Sequence, residues 1–436
     1  MSFSTPASFA PGRELRRSVA VPGDGRLLRR FVVFLGPGYL VATGYMDPGN
    51  WATALAGGSK FGTALLFVAV LSSLMAIVLQ SLSARLGVAA QLDLAQVCRA
   101  HTPRPVAVGL WLLAEAGIFA TDLAEVIGTA VGLELLFGLP LAVGVAVTAL
   151  DTFLILAFER LGFRKLELFV AATLLLIGLA FAAELALARP DPGAIARGLA
   201  PTPQILSDPE MLYLGLGILG ATVMPHNLFL HSFIVQTRAV GASAAERREA
   251  IRFAVIDSSL ALLFALLVNG AILVLAAAVF HASGHTEVAE LSEAHRLIAP
   301  LLGAPVAATL FALALIACGL NSTVTATLAG QIVMEGFVNL RVSPAMRRLV
   351  TRALAIAPAI AVTLYAGENA TARLLVLSQV VLSVTLPFAV VPLVLFTARR
   401  SVMGALVAPR RTTILAAAIA AMIVALNARL LWDAVF

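Results

Sequence analysis

Charge is scarce in this chain: 12% of its 436 residues are Asp, Glu, Lys or Arg, 60% are hydrophobic, and the mean hydropathy is +0.97. A soluble domain carries about twice that share of charge, so most of this surface must face lipid rather than water. Cysteine is scarcer still. Cys98 and Cys318 are the only two, which excludes a disulfide framework and leaves a pair of unpaired packing residues. The first 30 residues contain Arg, Pro and Gly but no short apolar core followed by a small-residue cleavage site, so no processing is expected. No stretch reads as a separate soluble domain, and no stacking motif accompanies the basic residues. A pI near 10.0 therefore does not imply nucleic acid. No cofactor and no obligatory protein partner are expected.

What remains is long apolar segments. A hydrocarbon core of roughly 30 Å needs ~20 residues of helix. Segments of that length are expected at 31–56, 62–86, 107–134, 139–158, 165–188, 211–236, 252–280, 304–334, 345–365, 370–397 and 412–434. The fold class is thus an all-α polytopic membrane protein with eleven spans. Of the 30 Lys and Arg, only Lys60, Arg189, Arg197, Arg296, Arg373 and Arg429 fall on one side of these spans. The asymmetry puts the N-terminus in the cytoplasm and, with an odd number of spans, the C-terminus on the extracellular or periplasmic side of a plasma membrane.

Two segments break their own rules. "GYMDPGNWA" (44–52) places Asp47, Pro48, Gly49 and Asn50 in the middle of the first span. Pro48 lacks an amide hydrogen and Gly49 tolerates unusual backbone angles, so the helix is expected to unwind there. The freed carbonyls must then line a protein-enclosed cavity, and a carboxylate at that depth costs about 3 kcal/mol on insertion scales. "GATVMPHNLFLHS" (220–232) repeats the device in the sixth span with Met224, Pro225, His226 and Asn227. Interrupted segments at corresponding positions of two halves point to a transporter's central site. Each half holds five spans, an odd number, so the halves form an inverted repeat of spans 1–5 and 6–10. The expected organisation is a cytoplasmic segment 1–30, a first repeat 31–188, an extracellular connection 189–210, a second repeat 211–397, and a connection with the eleventh helix at 398–436.

The donors on offer at the breaks are the Asp47 carboxylate, the Asn50 amide oxygen, freed carbonyls and the Met224 thioether. The oxygens suit a hard divalent cation, whereas a thioether offers almost nothing to Mg²⁺ or Ca²⁺. The mixture points to Mn²⁺ or Fe²⁺. The third span adds Glu115, Asp122 and Glu125 on one stripe, and Arg347, Arg348 and Arg352 stand at the cytoplasmic end of the ninth. These form either a proton relay or a structural ion-pair network. His226 and His231 either assist, since histidine titrates near neutral pH, or line the inner vestibule as neutral donors. Their spacing does not match the His-Glu-x-x-His protease motif, and no enzyme activity is expected. His281, His285 and His295, with Glu287, Glu290 and Glu293, cluster in the loop after the seventh span as a solvated face or a weak metal-gathering patch. Asp151 and Asp257 have no assigned role, and Asp257 is expected to be hydrated near the inner interface.

"MDPGN" on the first span with "MPHN" on the sixth resembles the Nramp family of divalent metal transporters. The resemblance extends over essentially the whole chain, through "ATDLAE" (120–125), "LNSTVTATLAGQIVMEGF" (320–337) and "LSQVVLSVTLPFAVVPL" (377–393). It implies a LeuT-type fold and import of Mn²⁺ or Fe²⁺ coupled to protons. It also implies that the metal, as substrate, is held by Asp47, Asn50, Met224 and the backbone carbonyl of Ala221. The Gly44 carbonyl and Gln379 join in other states of the cycle. Asp122 and Glu125 become relay residues in that light. The 320–337 stretch departs from the family pattern at Leu320, where Gln is common, and at Ala326, where Gly is. Neither belongs to the implied metal shell. A magnesium-transporting branch of the family departs at the metal-site Met, which this sequence retains. The rival readings are a carrier of the same fold for Mg²⁺ or another solute, and a metal-sensing membrane protein without transport.

Overall fold

The computed structural model describes residues 16–21, 27–150, 163–339, 344–365 and 369–435. Apolar residues in lipid leave backbone groups no partner but one another, so nearly all of these residues are helical. The sole strand pairing among the described residues is a two-residue parallel ladder, Val19–Ala20 against Arg238–Ala239.

Among the described residues, eight helical stretches are long and apolar enough to cross a membrane. The expected first span is in three pieces, Leu27–Phe34, Pro37–Gly44 and Pro48–Phe61. The last piece turns a corner at Gly62 (φ +59°) and runs through one 3₁₀ turn into Leu66–Ala90, so the first two spans meet without a loop. The third and fifth spans are Arg104–Phe137 and Phe163–Ala188. The fourth begins as Leu141–Val147 with a 3₁₀ turn at Thr148–Leu150, and the rest of its expected range, 151–158, lies outside the described residues, as does Asp151. Pro209–Thr222 and Pro225–Ile234 make up the broken sixth span. Ala244–Val279, Pro305–Val338, Pro344–Tyr365 and Arg410–Val435 follow, and the tenth span is Asn369–Thr385 continued by Pro387–Thr397.

The two broken spans run antiparallel, as their ends show. Lys60, closing the first, lies 2.5 Å from Glu210, opening the sixth. Arg238, just beyond the sixth, donates to the carbonyls of Val33 and Leu35 at the start of the first, each at 3.0 Å. Small residues let the interior helices touch. A Cβ on Gly128 would stand 2.0 Å from Pro48, and one on Gly319 would stand 2.1 Å from the Thr129 hydroxyl. The outer faces are apolar: Leu168, Leu175 and Leu179 line the outside of Phe163–Ala188 and are more than half exposed.

Short amphipathic helices were not expected. Leu94–His101 is started by an Asp93–Gln96 capping box, and Leu291–Leu302 lies in the loop after Ala244–Val279. That second helix disperses the anticipated His/Glu cluster. His281 bonds the Ser59 carbonyl at 2.8 Å, His285 the Ser283 hydroxyl at 3.0 Å, and the His295 ring faces Phe311. Glu290 accepts from Thr371 and from the Ala372 amide.

Candidate metal-binding site

The first break lies at Tyr45–Asp47. The amides of Tyr45 and Met46 still reach back to Ala42 and Thr43 (3.1 Å each), and then Asp47 turns extended (φ −74°, ψ 163°). Its carboxylate Oδ1 accepts the Asn50 amide at 2.8 Å, so Asp47 is the N-cap of Pro48–Phe61. Pro48 occupies the first helical position, where its missing N–H costs nothing. It opens the second half-helix; it does not kink the first. Gly49 also departs from expectation. It is an ordinary helical residue whose role is clearance, since a Cβ there would stand 1.7 Å from Gln379 Nε2.

The second break repeats this plan: Val223 (φ −107°, ψ 75°) leaves the helix, Met224 (ψ 126°) is extended and Pro225 takes the first helical position. Trp51, wedged edge-on between Phe181 and Phe311 at 4.7 and 5.3 Å, anchors the turn that carries Asn50. Asn50 then joins the two breaks: its side-chain amide donates to the Tyr45 carbonyl (2.6 Å) and to the Ala221 carbonyl (3.0 Å). Gln379 donates to Asp47 Oδ2 at 3.1 Å and to Ser378 at 3.0 Å. The Met224 sulfur accepts from the Asn227 amide at 3.6 Å, and that amide packs so tightly on Gly44 that a Cβ there would lie 2.3 Å from it. Asp47, Ala221, Met224 and Gln379 have no exposed surface and Asn50 has 2%. Hydrogen bonds thus join Asp47, Asn50, Ala221 and Gln379 in one buried cluster, and Asn227 joins Met224 to Gly44. Two buried oxygens there, Gln379 Oε1 and Asn227 Oδ1, have no hydrogen-bond partner among the described residues, and their lone pairs suit a cation. Among the described residues no three His, Cys, Asp or Glu side chains form a metal cage, and the donor groups at the two breaks are one carboxylate with amide, carbonyl and thioether groups.

The carboxylates of the third span lead away from this point. Glu125 is fully buried and lies 3.5 Å from Arg352, which also donates to Thr323 at 3.0 Å. Asp122, 5% exposed, stands a turn away. Glu115, nearer the end of the bundle, accepts from Arg347 (3.0 Å) and Trp111 (3.1 Å). Arg347 reaches it over Gly330, where a Cβ would stand 2.1 Å from the guanidinium. The Arg348 side chain lies outside the described residues. Neither histidine lines an open vestibule here. His226 is 1% exposed and meets the Thr121 hydroxyl at 3.4 Å, whereas His231 is wholly buried and bonds Gln80 at 2.9 Å. Gln80 in turn donates to the Tyr45 hydroxyl at 2.7 Å.

Several participants escaped sequence reasoning. Asn269 donates to the Tyr45 carbonyl at 2.7 Å and the Cys318 thiol to the Met46 carbonyl, so Cys318 serves the break and is not mere packing. A lone amide within "LLVNGAILVL" was the available signal for Asn269; nothing marked Cys318. Asp257, expected to be hydrated, is fully buried and accepts from the amides of Gly36 (3.4 Å) and Gly38 (2.7 Å). With Glu167 and Arg238, paired at 2.8 Å, it clamps the start of the first broken span. At the opposite end, Lys60, Glu210, Tyr213, Glu290 and Val376 line a cavity of about 620 Å³.

Comparison with known proteins bears on this arrangement. The family model described as natural resistance-associated macrophage protein-like (Nramp) matches residues 38–433. A divalent metal cation transporter MntH of Agrobacterium fabrum is 60% identical over 96% of this chain and 91% of its own length. The solved manganese transporter of Eremococcus coleocola is 38% identical, covers 96% of this chain and 90% of its own, and superposes with a TM-score of 0.87. The fold also matches that of Mhp1, a nucleobase-cation-symport-1 family transporter, at 16% identity and a TM-score of 0.62, covering 90% of this chain and 81% of the other.

Proposed function

The chain belongs to the Nramp family, and on that premise we propose that it is a secondary active transporter importing Mn²⁺, and Fe²⁺ and related transition metals, coupled to protons by alternating access. The observation that carries the reading is the Asn50 amide bridging the carbonyls of Tyr45 and Ala221, with Asp47 and Met224 beside them. This draws hard and soft donors from two separate helix breaks to one occluded point. A hard-only set would hold Mg²⁺ or Ca²⁺ as well; the thioether favours a transition metal. Asp47, Asn50, Met224 and the Ala221 carbonyl hold the ion, with the Gly44 carbonyl and Gln379 joining as the helices move. Metal binding frees the Asp47 proton, which leaves by way of Asp122, Glu125 and Glu115, with Arg352 and Arg347 balancing their charge. His226 and His231 position the inner half of the sixth span. The distribution of Lys and Arg supports a cytoplasmic N-terminus in a plasma membrane.

Mn²⁺ uptake into proteoliposomes tests this, with an inward proton gradient and a large excess of Mg²⁺ and Ca²⁺ outside. Uptake that survives the excess and acidifies the lumen is expected. Uptake abolished by Mg²⁺ would make this an alkaline-earth carrier, and saturable binding without flux would make it a metal sensor.

A further inference from the structure

At the end of the bundle that holds Arg16 and Arg30, three guanidinium groups converge where no function has been assigned. Arg85, on the last turns of Leu66–Ala90, and Arg248 and Arg252, on the first turns of Ala244–Val279, line a cavity of about 500 Å³. Its floor is apolar, formed by Val255, Ile256 and Leu406. Arg85 uses one N–H to reach the Leu406 carbonyl at 3.3 Å. None of the three arginines pairs with a carboxylate among the described residues. The nearest acids along the chain are engaged elsewhere: Glu249 with Arg30 at 2.8 Å, and Glu246 with Ser243.

Three arginines that line one cavity, with no carboxylate among the described residues to neutralise them, offer their guanidinium donors to a bound anion. Spacing says which kind. Arg248 and Arg252 are four residues apart, and the same helical face continues through Ile256, Leu260, Leu263 and Leu267. Those four are 36, 49, 43 and 70% exposed, an open apolar track leading from the cavity along the membrane-spanning part of the helix. On the neighbouring helix Leu71 and Leu74 are likewise 43 and 49% exposed, three to four turns from Arg85. A cationic cup that opens onto an apolar track matches a molecule with an anionic head and acyl tails. We propose that this cavity is a binding site for an anionic phospholipid. The phosphodiester is held by Arg85, Arg248 and Arg252, and the acyl chains lie along Ile256 to Leu267. Basic pockets between membrane helices select such headgroups, and guanidinium forks grip phosphate oxygens in pairs.

Lipid occupancy on the detergent-solubilised full-length chain, read by native mass spectrometry, tests the assignment with phosphatidylglycerol, cardiolipin and phosphatidylcholine as probes. Anionic lipids are expected to bind and phosphatidylcholine not. The single change Arg252→Gln should weaken binding about 5-fold, and the triple change Arg85→Gln, Arg248→Gln, Arg252→Gln about 100-fold. Arg104→Gln, an exposed arginine outside the cavity, should change nothing. Equal binding of phosphatidylcholine, or equal effects of Arg252→Gln and Arg104→Gln, overturns the proposal. So does displacement of the lipid by an equal concentration of inorganic phosphate, which would mark a soluble-anion site. Should the triple variant not fold, the single variants and the phosphate competition still decide.

Discussion

Gly49→Ala isolates the contact between the tenth span and the first break. The new Cβ would stand 1.7, 2.4 and 2.9 Å from Nε2, Cδ and Cγ of Gln379, so the two cannot coexist as they are. The atoms met belong to a flexible side chain, so the helix survives and Gln379 gives way. In moving, it loses its 3.1 Å hydrogen bond to Asp47. A hydrogen bond to a buried carboxylate contributes about 1.5–3 kcal/mol, and Ala regains at most about 1 kcal/mol in helix propensity. The net loss of about 1–2 kcal/mol is a loss of stability of the metal-free protein. Denaturation of the detergent-solubilised chain without metal measures it, and the cycle with Gln379→Ala sharpens it. In that background the clash has gone, so Gly49→Ala should be neutral or stabilising by up to about 1 kcal/mol, leaving a coupling of about 1.5–3 kcal/mol. Wild-type stability in Gly49→Ala, or strictly additive effects in the cycle, refutes the reasoning. Gly220→Ala serves as the contrast. Its Cβ would meet the Gln379 carbonyl at 2.1 Å and the Ser383 amide at 2.6 Å, backbone that cannot swing aside, so loss of folded protein on size exclusion is expected.

Other outcomes follow from the same geometry. Asp47→Ala should abolish metal transport, and retained high-affinity uptake would remove Asp47 from the site. Met224→Ala should keep Mn²⁺ uptake but admit Ca²⁺ or Mg²⁺ as competitors; unchanged discrimination in a competition assay disposes of the thioether filter. Arg352→Gln leaves the buried Glu125 without its ion-pair partner and should cost about 3–5 kcal/mol in a denaturation assay, most of it recovered by adding Glu125→Gln. A failure of the second change to rescue would place the cost elsewhere. Asp93 caps Leu94–His101 outside the spans, and burial raises its pKa to about 6, against the opposing pull of the Gln96 amide and Arg16. Its folded-state pKa lies above the unfolded value, so ionisation disfavours folding, and stability from this group falls as pH rises from about 4 through 6. Asp93→Asn should flatten that part of a melting-temperature profile; an unaltered slope rules out Asp93 as its source.

The breaks were legible because they violate a strong rule: Pro, Gly and a carboxylate have no local reason to sit in mid-membrane. What each residue does there was less legible. Pro48 and Gly49 read as disruptors, yet one starts a helix and the other makes room for a side chain more than 300 positions away. Sequence shows which local conformations are disfavoured but not which distant group moves into the space. Glu115, Asp122 and Glu125 were visible as a stripe, and the pairing of Glu125 with Arg352 became clear only once Pro344–Tyr365 was packed. Cys318 was invisible, and Asn269 showed only as a lone amide in an apolar run, because their hydrogen bonds go to backbone carbonyls, which leave no trace in composition. The direct passage of the first span into the second was missed as well, since Gly62 bends the chain without a polar loop to announce it.

The two amides that face Asp47 and the Ala221 carbonyl have a consequence for the metal-free half of the proposed transport cycle. An N–H carries partial positive charge, so Asn50 and Gln379 act as stand-in cations for oxygens that would otherwise be buried and bare. A bare buried acceptor costs about 1–3 kcal/mol, more if charged. An unladen protein lacking these stand-ins would be held open until cargo arrived. With them, loading becomes an exchange of one set of positive partners for another. Measured affinity is then the difference between two bound states, and a weakly held ion loses to the protein's own amides. On the proposed alternating-access cycle, a site so partnered closes over itself without cargo, turns round and reopens, and a transporter needs that half of its cycle as much as the half that carries metal.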